Sequence, residues 1–432
     1  MNKHEGHNPT VHLNPNVQGL KPSATVAIND FSNELKRKGR EIFKFGLGQS
    51  PFPVPEPVTE ALRQNAFQKD YLPVKGLREL QVAVAEHHRR DFGIEANPDD
   101  VLIGPGSKEL MFVLQLAYFG DLVIPAPSWV SYAPQARIIG RNITFLATEF
   151  ENDWHLTPEK LEELCYFDSD RARLLILNYP LNPTGTSMTE DRLKELAEVA
   201  ERNRVILLSD EIYGKIHHDG AHKSILPFYP EGTIFSGGLS KWCGAGGWRL
   251  GVFVFPPSLR WLQDAMAAVG TETFTSTSAP IQYAAVRAFQ EGPEIEDYLK
   301  KSRRLLKALG SNIAGKLDMC GVKVRAPHGG FYLFPDFSPF REKLSSKNIN
   351  GSKELCQRLL EDTGVAILPG SDFGRGDIEL LARLAYVDFD GKAVLEALGN
   401  LPENSPLDEN FLKKYCGKVT EGIDRICSWL TD

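Results

Sequence analysis

The sequence predicts an α/β protein in which a large domain, built on a mainly parallel sheet between helices, carries a smaller α+β domain. Two observations lead there. From about residue 55 to 300 short apolar runs alternate with amphipathic segments, the pattern of repeated strand–helix units. After about residue 295 that alternation gives way to one long charged helix and then to short strands with helices between them. At 432 residues the chain has room for two or three such units, and 42% hydrophobic with 24% charged residues is the balance of an ordinary folded protein rather than a disordered or fibrous one.

Taken in order, the first twenty residues, "MNKHEGHNPTVHLNPNVQGL", are polar and lack the apolar run of a secretory signal. "VAINDFSNELKRKG" then reads as an amphipathic helix, and "FKFGLGQSPFPVPEPV" hands the chain over through its prolines. Residues 1–55 are expected to pack with the smaller domain. The large domain is expected over 56–298. There "DDVLIGPG" is a strand leading into the helix "SKELMFVLQLAY", "RARLLILNYP" leads through a turn into "TEDRLKELAEVAERN", and "RVILLSDEIY" follows as the next strand. The charged helix "EIEDYLKKSRRLLKALGSNIAGKL" crosses into the smaller domain, expected over 299–401 with strands in "VKVRAP", "GGFYLFPDF" and "LLARLAYVDF". Residues 402–432 are expected to form a helical tail on "FLKKYCGKVTEGIDRICSWL".

Several functions are disfavoured at once. A net charge of -7 argues against a general nucleic-acid surface, which needs clustered Lys and Arg. Every long apolar stretch is broken by Asp, Gly or Pro well short of a membrane span, so no membrane partner and a cytoplasmic location are expected. The six cysteines are scattered without a C-x-x-C pair and suit free thiols in a reducing compartment. His87 with His88, and His217 with His218, are adjacent and would not share a helix face as ligands, so no metal is expected. Neither "GPGSKE" nor "GAGGWR" satisfies a nucleotide-binding glycine pattern.

The chemistry concentrates at strand ends. Asn182 in "NYPLNPTG", Asp210 and Tyr213 in "LLSDEIYG", and Lys241 in "SGGLSK" each follow an apolar run, one strand and one crossover helix apart. Parallel neighbours would carry them to the carboxyl edge of one sheet, where α/β ligand sites form. An amine, a carboxylate, a phenol and an amide meeting beside Arg249 suit pyridoxal 5'-phosphate: a lysine for its aldehyde, an anion for its ring nitrogen, donors for its phenolic oxygen. Its phosphate would find Gly106, Ser107 and Lys108 opening a helix, with Arg249 as the fork.

With "KPSATVAIN", "YLPVKGLREL", "PSWVSY", "NPTG", "SDEIY", "SKWCGAGGWRLG" and "LARLAY" in this order, the chain resembles the class I pyridoxal-phosphate-dependent aminotransferases of the aspartate aminotransferase superfamily, from about Lys21 to Leu398. The prokaryotic-type aspartate aminotransferases are the nearest pattern. The resemblance implies a sheet of the seven-stranded type and a homodimer with shared active sites. It implies Lys241 as the covalent anchor and proton carrier, Asp210 at the ring nitrogen, and Tyr213 and Asn182 at the phenolic oxygen. Trp129 would lie over the ring, Tyr71 would reach the phosphate from the neighbouring subunit, and Arg383, with Gly48, would clamp the substrate α-carboxylate. Ser23 and Lys108 resemble the residues that hold the second carboxylate of aspartate, which makes aspartate and 2-oxoglutarate the expected pair. Alanine, aromatic or prephenate transamination and a β-lyase are the alternatives on the same scaffold, and a non-catalytic regulator is a distant one. The chain departs from the pattern in its short "AYFGDLVIPAPSW", in Trp242 and Cys243 beside Lys241, and in the tail after about residue 400.

Overall fold

The apolar runs of the first half of the chain assemble into one sheet. The computed structural model describes residues 12–168 and 170–432; the first eleven residues of the polar N-terminal stretch, and the reading placed on them, lie outside the described residues. Following β1 (Phe43–Lys44), the sheet strands are β2 (Val101–Gly104), β3 (Asp121–Ala126), β4 (Ile143–Ala147), β5 (Arg173–Asn178), β6 (Ile206–Asp210), β7 (Thr233–Gly238) and β8 (Gly251–Val254). Among the described residues they form a seven-stranded sheet in the order β2-β8-β7-β6-β5-β3-β4, with β8 antiparallel to both neighbours and the other pairs parallel. This is the mainly parallel sheet expected from the sequence.

Strands β5 to β8 are buried along their whole length, which is why they read as unbroken apolar runs rather than alternating ones. Helices cover both faces. The helix Glu190–Arg202 presents Leu193, Leu196, Ala197 and Ala200 to the sheet at a spacing of three to four residues, and the Thr189 hydroxyl caps its start by accepting from the Arg192 N–H. Each fully buried leucine of this kind contributes about 2 kcal/mol relative to exposure.

The C-terminal half is built on smaller sheets. Strands β9 (Tyr332–Leu333), β11 (Leu368–Pro369) and β12 (Ala382–Ala385) form an antiparallel sheet in the order β11-β12-β9, while β10 (Val365–Ala366) pairs in parallel with β1. The N-terminal segment therefore joins the later part of the chain through β1. The strand expected in "VKVRAP" is not formed: Lys323 makes only an isolated bridge to Asp336. The tail folds as two helices, Glu409–Tyr415 and Gly417–Thr431, rather than one, because the chain leaves helical geometry at Cys416, just before a glycine. Val419, Ile423, Ile426 and Leu430 bury the second of these against the core, and Gly422 lies so close to Phe45 that an added Cβ would stand 2.5 Å from its ring. None of the helices described is long and apolar enough to cross a membrane.

Candidate active site

In-register pairing of β5, β6 and β7 sets Asn178, Asp210 and Ser236 abreast at the carboxyl edge of the sheet. The loops just beyond carry Asn182, Tyr213 and Lys241 into one cavity of about 570 Å³. Ser23, Gly48, Ser107, Lys108, Trp129, Asp210, Arg249 and Arg383 line it as well. Two residues singled out from the sequence do not: Gly106 stands behind Arg249, and Tyr71 is 88% exposed on the surface of the chain.

Asp210 is buried, and burial raises its carboxyl to about 6 against the pull of its hydrogen bonds. The Tyr132 hydroxyl donates to Oδ2 at 2.5 Å and the Ser236 hydroxyl to Oδ1 at 3.5 Å. A carboxylate held out of water with only neutral donors is poised for a cationic partner. The Tyr132 phenol is itself pushed well above its ordinary range, by burial first and then by Asp210, so it stays protonated and donating.

Lys241 follows β7 by three residues. Gly238, at φ 154°, ends that strand where a Cβ would meet the Leu250 carbonyl at 2.7 Å, so the tight departure requires glycine. The Lys241 Nζ donates to the Gly48 carbonyl at 2.7 Å and lies 5.5 Å from the Tyr213 ring centre and 5.8 Å from that of Phe331. Gly48, expected beside Arg383 at the substrate α-carboxylate, is engaged here through its carbonyl, and the Tyr332 hydroxyl fills the space a Cβ would need, 1.9 Å from it. Tyr213 and Tyr332 share a hydroxyl hydrogen bond of 2.8 Å, with the Asn182 amide 3.5 Å from the Tyr213 oxygen.

Across the cavity, the helix Ser107–Ala117 begins against β8. A Cβ on Gly251 would fall 2.0 Å from the Ser107 nitrogen, and one on Gly106 would fall 2.2 Å from Arg249 Nη2. Absence of both side chains brings a helix N-terminus and a guanidinium together, the two elements of an anion site. Arg249 itself sits in the left-handed region at φ 54° and donates to the Gly246 carbonyl at 2.9 Å. Lys108 is pushed below its ordinary range, by partial burial and then by Arg249, and its ammonium lies 5.5 Å from the Trp129 ring centre.

Arg383, on β12, is 1% exposed. Nη1 donates to Asn182 Oδ1 at 3.2 Å and Nη2 to the Gly46 carbonyl, while Nε has no partner. The rings of Tyr332 and Phe373 flank it at 4.8 and 5.0 Å. Tyr132, Tyr332 and Gly46 are the site residues that sequence reasoning missed. Tyr132 stood at the end of "PSWVSY", but its partner Asp210 is 78 residues away.

The chain matches the family model "Aminotransferase class I and II" over residues 40–387. It belongs to that family. Among its relatives, the aspartate aminotransferase of Bacillus sp. strain YM-2 is 31% identical over 369 residues, spanning 83% of this chain and 91% of that protein. The aspartate/prephenate aminotransferase of Thermus thermophilus is 32% identical over 366 residues, 84% of this chain and 91% of that one. The solved aspartate aminotransferase of Thermus thermophilus with maleate superposes with a TM-score of 0.83 at 28% identity, covering 97% of this chain and all of that one.

As a class I aminotransferase of the aspartate aminotransferase type, the protein uses pyridoxal 5'-phosphate, and the cavity fits it. The glycine-cleared helix start beside Arg249 suits a phosphate, buried Asp210 suits a protonated ring nitrogen, and the Lys241 amine lines the same cavity. A separate cluster qualifies the metal argument drawn from histidine spacing. His87, Asp91 and Glu291 come together at ligand spacing, His87 and Asp91 one helical turn apart. The Lys215 ammonium stands 2.7 Å from Asp91 and 2.6 Å from Glu291, so this aminotransferase already meets those carboxylates with a cation. Burial works against the charge on Glu291, but His87 and Lys215 outweigh it and hold the carboxyl at about 2.

Proposed function

We propose that this aminotransferase takes the α-amino group of aspartate and passes it to a 2-oxo acid, with 2-oxoglutarate the expected acceptor, in a ping-pong sequence of two half-reactions. Arg383 carries the reading: a guanidinium buried at the cavity, with an unpartnered Nε and no salt bridge to a carboxylate among the described residues. A buried cation calls for an anion, and the substrate α-carboxylate matches its fork.

When bound, pyridoxal 5'-phosphate supplies an aldehyde to hold the amino group and a ring to accept the electron pair released at the substrate Cα. The chain's residues do the rest. Lys241 would hold the aldehyde of the cofactor and, once its amine is free, would take the proton from the substrate Cα as general base and give it back as general acid. Asp210, fixed by Tyr132, keeps a negative charge toward the ring nitrogen. Tyr213 and Asn182 serve the phenolic oxygen, and Gly106, Ser107, Lys108 and Arg249 the phosphate. Trp129 supplies an aromatic wall that excludes water. Arg383 and the Gly48 segment orient the α-carboxylate, and Ser23 with Lys108 receives a second carboxylate.

Support for an acidic substrate comes from the relatives named as aspartate aminotransferases and from the solved structure named with maleate, a dicarboxylate. Exposure of Tyr71 supports its service to a neighbouring subunit's phosphate in a homodimer. On this reading residues 56–298 form the cofactor-holding domain, 299–401 with 1–55 the smaller one and 402–432 the tail, and the enzyme works in the cytoplasm.

The test is an absorbance spectrum of the purified enzyme with single amino acids and no acceptor. Aspartate is expected to bleach the visible cofactor band. Bleaching by alanine or aromatic amino acids alone would reject the acidic pocket. A Lys241→Ala protein that still forms oxo acid at the wild-type rate would reject the role of Lys241.

A further inference from the structure

The C-terminal helix Gly417–Thr431 packs along the end of the long helix Pro293–Met319, and the two elements are tied by polar contacts over a single turn. Lys316, in the last turn of the long helix, places its ammonium 2.8 Å from Asp424 of the C-terminal helix. Cys427 lies one turn beyond Asp424 on that helix, and its Sγ donates to the Lys316 carbonyl at 3.7 Å. Cys320 caps the long helix, and its Sγ donates to the next carbonyl, that of Leu317, at 3.2 Å. Two sulfurs directed at consecutive carbonyls of one turn are neighbours across the helix pair.

Exposure separates this pair from the rest. Cys165, Cys243, Cys356 and Cys416 are buried, whereas Cys320 and Cys427 are both partly accessible. A partly exposed thiol with a second thiol beside it is the arrangement in which oxidation ends in a disulfide instead of running on to the irreversible acids.

We propose that Cys320 and Cys427 form an oxidative modification site, in which hydrogen peroxide or a low-molecular-weight disulfide joins them and so ties the C-terminal helix to the long helix. With peroxide, one thiol sulfur attacks the O–O bond, becomes the sulfenic acid and releases water. The second sulfur, losing its proton, then attacks the first and expels the hydroxyl as a second water. Two thiols and one peroxide give one disulfide and two waters, with two electrons passing from sulfur to oxygen. Burial, with Cys320 beside it, holds the Cys427 thiol above its ordinary range, which assigns Cys320 the first attack and Cys427 the resolving step. The bridge closes a loop of about a hundred residues, and a cross-link restricts the unfolded chain more the longer the loop it closes.

The experiment treats the cofactor-loaded wild-type enzyme with a slight excess of hydrogen peroxide, blocks remaining thiols under denaturing conditions and maps an unreduced digest by mass spectrometry. Expected are a peptide pair joined through Cys320 and Cys427, two hydrogens lighter than the separate thiol peptides, and a fall in titratable thiols from six to four that dithiothreitol reverses. Oxidised wild type is expected to melt several degrees above reduced wild type, and Cys427→Ser, treated alike, to show no rise. Sulfinic or sulfonic acid on either cysteine without the bridge, full alkylation of both after treatment, or a bridge to any other cysteine would overturn the proposal. Should Cys427→Ser fail to fold, the wild-type digest decides alone.

Discussion

Tyr132 governs how firmly Asp210 keeps its charge. Its hydroxyl makes the short hydrogen bond to the carboxylate, and a hydrogen bond to a charged group contributes about 1.5–3 kcal/mol. Tyr132→Phe is therefore expected to lower kcat by about 10- to 100-fold with little change in KM for the amino acid, read in steady-state kinetics. Arg383→Lys keeps a cation but loses the fork and its planar fit between Tyr332 and Phe373. A fall of about 100-fold in kcat/KM, with the cofactor still bound, is the expected result. Lys241, Asp210 and Arg383 were legible in the sequence because each polar residue interrupts or ends an apolar run. Tyr132 and Tyr332 were not: a tyrosine serves a core equally well, and their partners Asp210 and Tyr213 are 78 and 119 residues distant.

Among the elements, the contact between β8 and the helix Ser107–Ala117 is the most constrained. Gly251→Ala would place a Cβ 2.0 Å from the Ser107 nitrogen, and backbone cannot yield as a flexible side chain can. The helix start must withdraw from Arg249, and cofactor affinity is expected to fall at least about tenfold in a fluorescence titration, with the melting temperature of the cofactor-free protein changing less. The long sheet strands were legible because burial on both faces leaves uninterrupted apolar runs. The strands of the C-terminal half span two to four residues, too few for a period to declare itself, and "VKVRAP" looked like a strand while forming one bridge.

Across the molecule, acid stability is set by histidines buried neutral. Burial lowers His88 and His218 to about 4 and His155 to about 3. Between those values and about 6.5 the unfolded chain binds protons that the folded chain refuses, so their stabilisation is complete above about pH 6.5 and is lost as pH falls toward 4. Asp210, raised to about 6 before cofactor binds, works in the opposite direction over the same window, but the histidines, with His217 also lowered to about 4, outnumber it. Urea unfolding of the cofactor-free protein is expected to show stability falling steadily from pH 6.5 to 4, and a flat profile would contradict the histidine assignment. The cavity also gathers the chain in time as well as in space. A nascent chain that has emerged as far as Arg249 already owns the amine, the carboxylate and the helix start proposed to receive the cofactor. The guanidinium proposed to receive substrate is made 134 residues later, and it closes on Gly46, a residue synthesised near the beginning. Synthesis thus makes the residues of the cofactor cradle first and completes the substrate clamp last.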